Sequence, residues 1–164
     1  MVTILEIIQT LKVKLKLQNS EDTIKLTETC EQYRFACNFV SHYVFHHQFE
    51  LGQSKLNEVL YTSIRKNYQL KSQLAQSVLK TVIARYKTVR TQLRKQKVKG
   101  TSEYKDLDFL WYPIHFRRPQ ADLVRNRDYS YLSNGTLSIN TLQGRIKATP
   151  IYKGLEHYFD GTWL

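Results

Sequence analysis

Apolar and polar positions change period along the chain, and the changes mark out its elements. Residues 10–17, TLKVKLKL, alternate Leu11, Val13, Leu15 and Leu17 with Lys12, Lys14 and Lys16, the two-residue period of a half-buried strand with a basic outer face. The period then lengthens. Leu26, Cys30, Tyr33, Cys37, Val40 and Val44 fall four and three residues apart, which predicts a long helix capped by Asn19 or Ser20. After a break near residues 50–54, Leu56, Leu60, Ile64 and Tyr68 line one face of a second helix, from Lys55 to about Tyr68. A third helix, with Ser72 as its expected cap, buries Ala75, Val78, Val82, Tyr86, Val89 and Leu93 and carries Lys80, Arg85, Lys87, Arg90 and Arg94 over much of the rest. Residues 95–102 are basic and read as an exposed loop containing Gly100. The apolar run at 109–116 is broken by Pro113, which suits an edge strand or an extended linker.

The last third returns to short strands. Asn134-Gly135 tolerates the positive φ angles of a type I′ turn and predicts a two-residue hairpin between residues 128–133 and 136–140. That register sets Leu132 opposite Leu137 and Ser130 opposite Ile139, and it sends Tyr129 and Tyr131 to a half-wet face opposite Asn140 and Ser138. A second turn at Gln143-Gly144 leads into another strand through Arg145, Ile146 and Lys147. A lone hairpin is unstable in water, so the basic strand at the other end of the chain is the natural partner. The fold class expected is α+β: a small meander or part of a barrel, with three helices inserted into it.

Length and composition add a charge argument. A chain of 164 residues buries a real core, and 25 Lys and Arg against 14 Asp and Glu leave a net charge of +11. Eight basic residues and no acidic one fall between Lys80 and Lys99, a field that attracts polyanions, with nucleic acid as the default partner. A membrane partner is not expected, because the helices' apolar positions are committed to a core and no segment approaches a transmembrane span. The apolar start, residues 1–8, lacks a basic leader and a cleavage site, which reads as cytosolic. Cys30 and Cys37 lie seven apart on one predicted helix, too far to bridge each other, and are expected as reduced core thiols.

Catalytic chemistry is not visible. His42 and His46 have the spacing of a helical metal pair, with His47 beside them, but no further ligand completes a set. Asp106 and Asp108 offer carboxylates for a divalent cation but lie in a polar linker, not on the rigid elements that a nuclease site needs. No cofactor or metal is expected. Binding is better supported. Ser72, Gln73 and Gln76 occupy the first turns of the third helix, where free N–H groups favour phosphate and glutamine matches an adenine edge. Arg117, Arg118, Arg125 and Arg127 are interleaved with Trp111, Tyr112, Phe116, Tyr129 and Tyr131, combining backbone charge with stacking surfaces. For any single tyrosine, packing is the competing role.

Three stretches carry a family resemblance: YRFACNFVSHYVF, LKSQLAQSVLKTVIARYKTV and FRRPQADLVRNRDYSYLSNGTLSINTLQGRIK. In this order, over nearly the whole chain, they resemble the N-terminal half of TnpB (OrfB) proteins of bacterial insertion sequences, which are RNA-guided DNA endonucleases related to type V CRISPR effectors. The resemblance implies a wedge-type β-barrel, here residues 1–18 and 104–164 without its closing strands, interrupted by a helical recognition lobe at 19–103. It implies binding of a guide (omega-type) RNA scaffold and of double-stranded DNA carrying a short transposon-adjacent motif. It places the motif-reading role on Ser72, Gln73 and Gln76 and on Ser133 and Asn134 at the hairpin.

TnpB proteins continue into a RuvC nuclease domain with three acidic residues and a zinc ribbon, whereas this sequence stops at Trp163-Leu164. Endonuclease activity is therefore not carried over. The expected function is nucleic-acid binding by an N-terminal portion, from a truncated copy, an excised piece or a gene whose downstream frame supplies the nuclease. The alternatives are a regulator that binds RNA or DNA without cutting, and one chain of a split endonuclease. The expected location is the bacterial cytoplasm, with the nucleoid.

Overall fold

Asn19 starts the first helix. The computed structural model describes residues 10–158 and gives Asn19 an extended backbone whose Oδ1 accepts from the Asp22 N–H at 2.8 Å, opening α1 (Ser20–His46). Glu21 and Asp22 in the first turn complement the helix dipole. Of the predicted stripe, Tyr33, Cys37, Val40 and Val44 are fully buried, and Leu26 turns toward the sheet. Gln48 and Phe49, both with positive φ, then reverse the chain into α2 (Gln53–Tyr68), which buries Leu56, Leu60 and Ile64. Gln69 in the left-handed region ends α2.

The third helix, α3 (Ser72–Leu93), begins one residue earlier than the cap assignment predicts. Lys71 occupies the cap position without a side-chain bond, and Ser72 is the first helical residue. The cause is hydrophobic: Leu70 just before the cap and Ala75 one turn into the helix are both buried in the helical core, which fixes the chain's entry angle. Leu74, Val78, Leu79, Val82 and Tyr86 complete that core, each of the four aliphatic side chains contributing about 1.5–3 kcal/mol by leaving water. Its polar groups are paired. Tyr33 Oη lies 2.7 Å from Thr81 Oγ1, and Tyr86 Oη donates to the Ser41 carbonyl at 3.0 Å.

Four strands form one antiparallel sheet, ordered β1 (Lys14–Leu17), β4 (Gly144–Ile151), β3 (Leu137–Thr141), β2 (Tyr129–Tyr131). The N-terminal strand does find its partner at the far end of the chain, Leu17 pairing with Ala148 and Lys14 with Ile151. The hairpin differs from its predicted register by one residue. Tyr129 faces Ile139, Ser130 faces Ser138 and Tyr131 faces Leu137. The turn is a three-residue loop, in which the Gly135 N–H donates to the Leu132 carbonyl and only Gly135 takes a positive φ, +77°. Asn134 keeps a negative φ, and its Oδ1 accepts from the Thr136 N–H. A one-residue slip exchanges the faces. Tyr129 therefore packs with Leu137, Ile139, Ile146 and Ala148 against Leu17, Leu26 and Leu123, and does not stand on the wet face.

The molecule is thus α+β: three helices and an open four-stranded sheet that does not close on itself among the described residues. The layers are joined by hydrogen bonds from the Leu142 N–H to Thr29 Oγ1 (3.1 Å), from Gln143 Nε2 to Glu28 Oε2 (2.7 Å) and from Lys71 Nζ to Asn140 Oδ1. Between α3 and β2 the chain first makes a small turn, bridged at Lys97 and Tyr104, and then a 3-10 turn at Leu107–Phe109. Residues 110–123 form no helix and pair with no strand, and the backbone bends at Trp111, Tyr112 and Arg118. They lie on the helices, with Leu110, Ile114, Phe116, Ala121 and Leu123 packed against the helical core. Residues 1–8 and Trp163-Leu164 lie outside the described part.

Candidate nucleic-acid interface

The basic residues of α3 divide into two groups. Arg85 and Lys87 are exposed and have no ion-pair partner among the described residues. Arg85 shares with Lys80, Thr81 and Thr88 one wall of an open groove of about 700 Å³. The opposite wall is Phe116, Gln120, Ala121 and Asp122 of the segment 110–123. Arg90 and Arg94 are tied down. Arg90 Nε lies 3.1 Å from Asp106 Oδ1, and Arg94 donates to Asp106 Oδ2 from both Nε and Nη2. Partial burial works to raise the Asp106 carboxyl, but the bonds from Arg94 and the Leu107 N–H, with the two guanidinium charges, outweigh it and hold the group below its usual value. Phosphate contact by Arg90 or Arg94 must compete with this carboxylate.

At the start of α3 the candidate readers have internal partners. Ser72 Oγ accepts from Tyr61 Oη at 3.0 Å, and Gln76 Nε2 donates to Asn57 Oδ1 of α2 at 2.6 Å. Gln73 is half-buried. Gln76 can offer both amide atoms to an adenine edge only after leaving Asn57. At the hairpin, Ser133 is exposed, while Asn134 Oδ1 is occupied by Thr136, from its N–H at 3.1 Å and its Oγ1 at 2.7 Å.

The four later arginines are all exposed. Arg117 and Arg118 stand on the segment 110–123, and Arg125 lies over the Tyr131 ring at 5.6 Å. Arg127 follows Asn126, which has a positive φ, in a tight turn where the Arg127 and Asp128 N–H groups both donate to the Val124 carbonyl. Asp128 is buried, and its Oδ2 accepts from the Val124 N–H at 2.9 Å. Of the interleaved aromatics, Phe116 and Tyr129 pack inward, Tyr131 is 43% exposed, and Trp111 and Tyr112 are the most exposed, at 88% and 81%.

The strand register assembles a basic surface that no single stretch of sequence displays. Opposite the packed face, the sheet turns out Lys14 and Lys16 from β1 and Arg145 and Lys147 from β4, with Ser130, Ser138, Asn140 and Thr149 between them. The described strands contain no acidic residue. Arg145 is aimed along this face by donating from Nε to Ser138 Oγ at 2.8 Å and from Nη2 to the Ser138 carbonyl at 3.0 Å. The alternation in KLKL and RIKA was the available signal, but the partnership of strands from opposite ends of the chain is what makes it a surface.

Other chemistry is sparse. The exposed His42 and His46 rings are 4.3 Å apart, and among the described residues no group of three or more His, Cys, Asp or Glu is placed to hold a metal. Cys30 and Cys37 are free thiols, both raised chiefly by burial, Cys37 to about 12. No helix among the described residues is long and apolar enough to cross a membrane. Comparison with protein-family models, characterised proteins and solved structures gives no match to this chain.

Proposed function

We propose that the protein binds nucleic acid and is the guide-RNA- and DNA-binding portion of a TnpB-type system, without cutting chemistry of its own. The carrying observation is the outward sheet face, where Lys14, Lys16, Arg145 and Lys147 stand among neutral polar groups; the described strands contribute no acidic residue, and the carboxylate that acts on Arg145 is the buried Asp128 just before β2. Such a surface suits phosphates, each neutralised contact releasing condensed counterions. Arg85, Lys87, Arg117 and Arg118 supply further exposed charge. The three helices and the sheet are compatible with a recognition lobe at 19–103 inserted into part of a wedge-type barrel formed by 1–18 and 104–164. The partners in this reading are an omega-type RNA and duplex DNA with a short adjacent motif, met at the nucleoid.

The test is the salt dependence of binding to a structured RNA. Replacing Lys16, Arg145 and Lys147 together by glutamine should lower affinity and flatten the log–log slope by about three contacts. Equal slopes for parent and folded variant would remove the sheet face from the reading. In magnesium, with or without guide, plasmid DNA should stay intact, and specific cleavage by the pure chain would overturn the assignment.

A further inference from the structure

The segment after the 3-10 turn has two sides of different character. Its inner side is pinned to the helices. Asn38 clasps Phe116 by both backbone groups, accepting from its N–H at 2.8 Å and donating to its carbonyl at 3.1 Å, while Ser41 Oγ donates to the Ile114 carbonyl and Tyr86 Oη accepts from the Ile114 N–H at 3.3 Å. Ile114 and Phe116 are packed inward. The outer side presents Trp111, Tyr112, His115, Arg117 and Arg118, all exposed. From 109 to 121 there is no acidic residue.

Two large aromatic rings left in water cost free energy that a monomer has no reason to keep, since nothing in the described fold covers them. Their neighbours decide what covers them. Cations a few residues along the same segment match the phosphates of a strand whose bases stack on rings, and aromatic stacking accepts any unpaired base. A protein partner matched to apolar rings alone leaves the two arginines unanswered.

We propose that Trp111 and Tyr112 form a stacking platform for an unpaired stretch of nucleic acid, whose backbone then runs toward Arg117 and Arg118. The inference rests on the nucleic-acid reading above and adds a site to it.

Trp111 reports on itself once Trp163, the chain's other tryptophan, is replaced by phenylalanine. A single strand of about twelve uridines, or the equivalent deoxythymidine strand, should quench its emission, and a blunt duplex of the same length should not. Trp111→Ala and Tyr112→Ala should each weaken single-strand binding about tenfold while leaving the unfolding midpoint unchanged, because both side chains are almost wholly in water. Binding of structured RNA with unquenched Trp111, or with affinity indifferent to both substitutions, overturns the platform and leaves the sheet-face reading intact. Failure of every nucleic acid to bind overturns both. Self-association abolished by Trp111→Ala, with oligonucleotide affinity unchanged, would make the pair a protein contact and end the proposal.

Discussion

Arg94 closes on Asp106 with two guanidinium nitrogens, Nε at 3.0 Å and Nη2, both ending on Oδ2, while Arg90 takes the other carboxylate oxygen. The end of α3 is therefore fastened to the following 3-10 turn by charges that the sequence alone offers to a polyanion. The pairs are partly exposed, so their worth to stability is below about 1 kcal/mol. Their effect on binding is larger in kind, because two cations are withheld.

Arg85→Gln with Lys87→Gln should accordingly flatten the salt slope of RNA binding by about two contacts. Arg90→Gln with Arg94→Gln should change the slope little. Fluorescence anisotropy across a salt series separates the two pairs, and glutamine keeps the helix propensity.

Asp106→Asn retains an acceptor for the Leu107 N–H but drops the charge. Tighter RNA binding with a steeper salt slope is expected, together with a small fall in the unfolding midpoint. The same release follows in acid. With its carboxyl held low in the fold, the stability from these pairs is present above the unfolded pKa and is lost as pH falls through the folded one.

Asp128 has the opposite sign. Burial, the larger cause, raises its carboxyl against the lowering bond from the Val124 N–H. A raised folded pKa makes the native state hold its proton longer, so this group's contribution is fully present below the unfolded pKa and declines as pH rises through the folded value. Asp128→Asn, which can still accept from Val124, should gain stability relative to the parent between acid and neutral pH. Urea titrations at several pH values measure the difference.

The hairpin shows what sequence could and could not specify. Asn134-Gly135 announces a turn, and apolar alternation announces the strands around it, but the same pair serves a two-residue turn or the last two positions of a three-residue one. The choice belongs to the core. Leu137 and Ile139 face the core in either register, and only the observed one adds Tyr129 to the side where Leu26 of α1 waits. The helices were legible because four- and three-residue spacing is a local property, and the cap of α1 was legible to within Asn19 or Ser20 for the same reason. Asp106 with Arg90 and Arg94, Gln76 with Asn57 and Lys71 with Asn140 each depend on how elements pack, which no local period encodes. The basic sheet face is the largest such case, since half of it arrives from the other end of the chain.

Gly135→Ala tests the three-residue turn directly. Its φ of +77° lies where an alanine is strained, while nothing within 4 Å meets an added Cβ, so the penalty is conformational, about 1–2 kcal/mol, read as a lower denaturant midpoint. Asn134→Ala should cost less, by loss of the bonds to Thr136.

Cys37 should resist alkylation in the folded protein at neutral pH and react once urea exposes it, because its thiol is buried and raised to about 12. Mass spectrometry after pulse labelling gives the count.

The pairing of β1 with β4 also sets an order of events. Leu17 meets Ala148 only after the intervening chain exists, and closing so long a loop costs about 4 kcal/mol unless the chain between is already compact. The helices, whose contacts are mostly nearer in sequence, supply that compactness. During synthesis on a ribosome, β1 therefore emerges first and waits, its backbone groups and lysines in water, while α1, α2 and α3 assemble. The basic sheet face comes into being only when β4 docks on β1, so every nascent chain that stops short of β4 lacks the surface offered to phosphate.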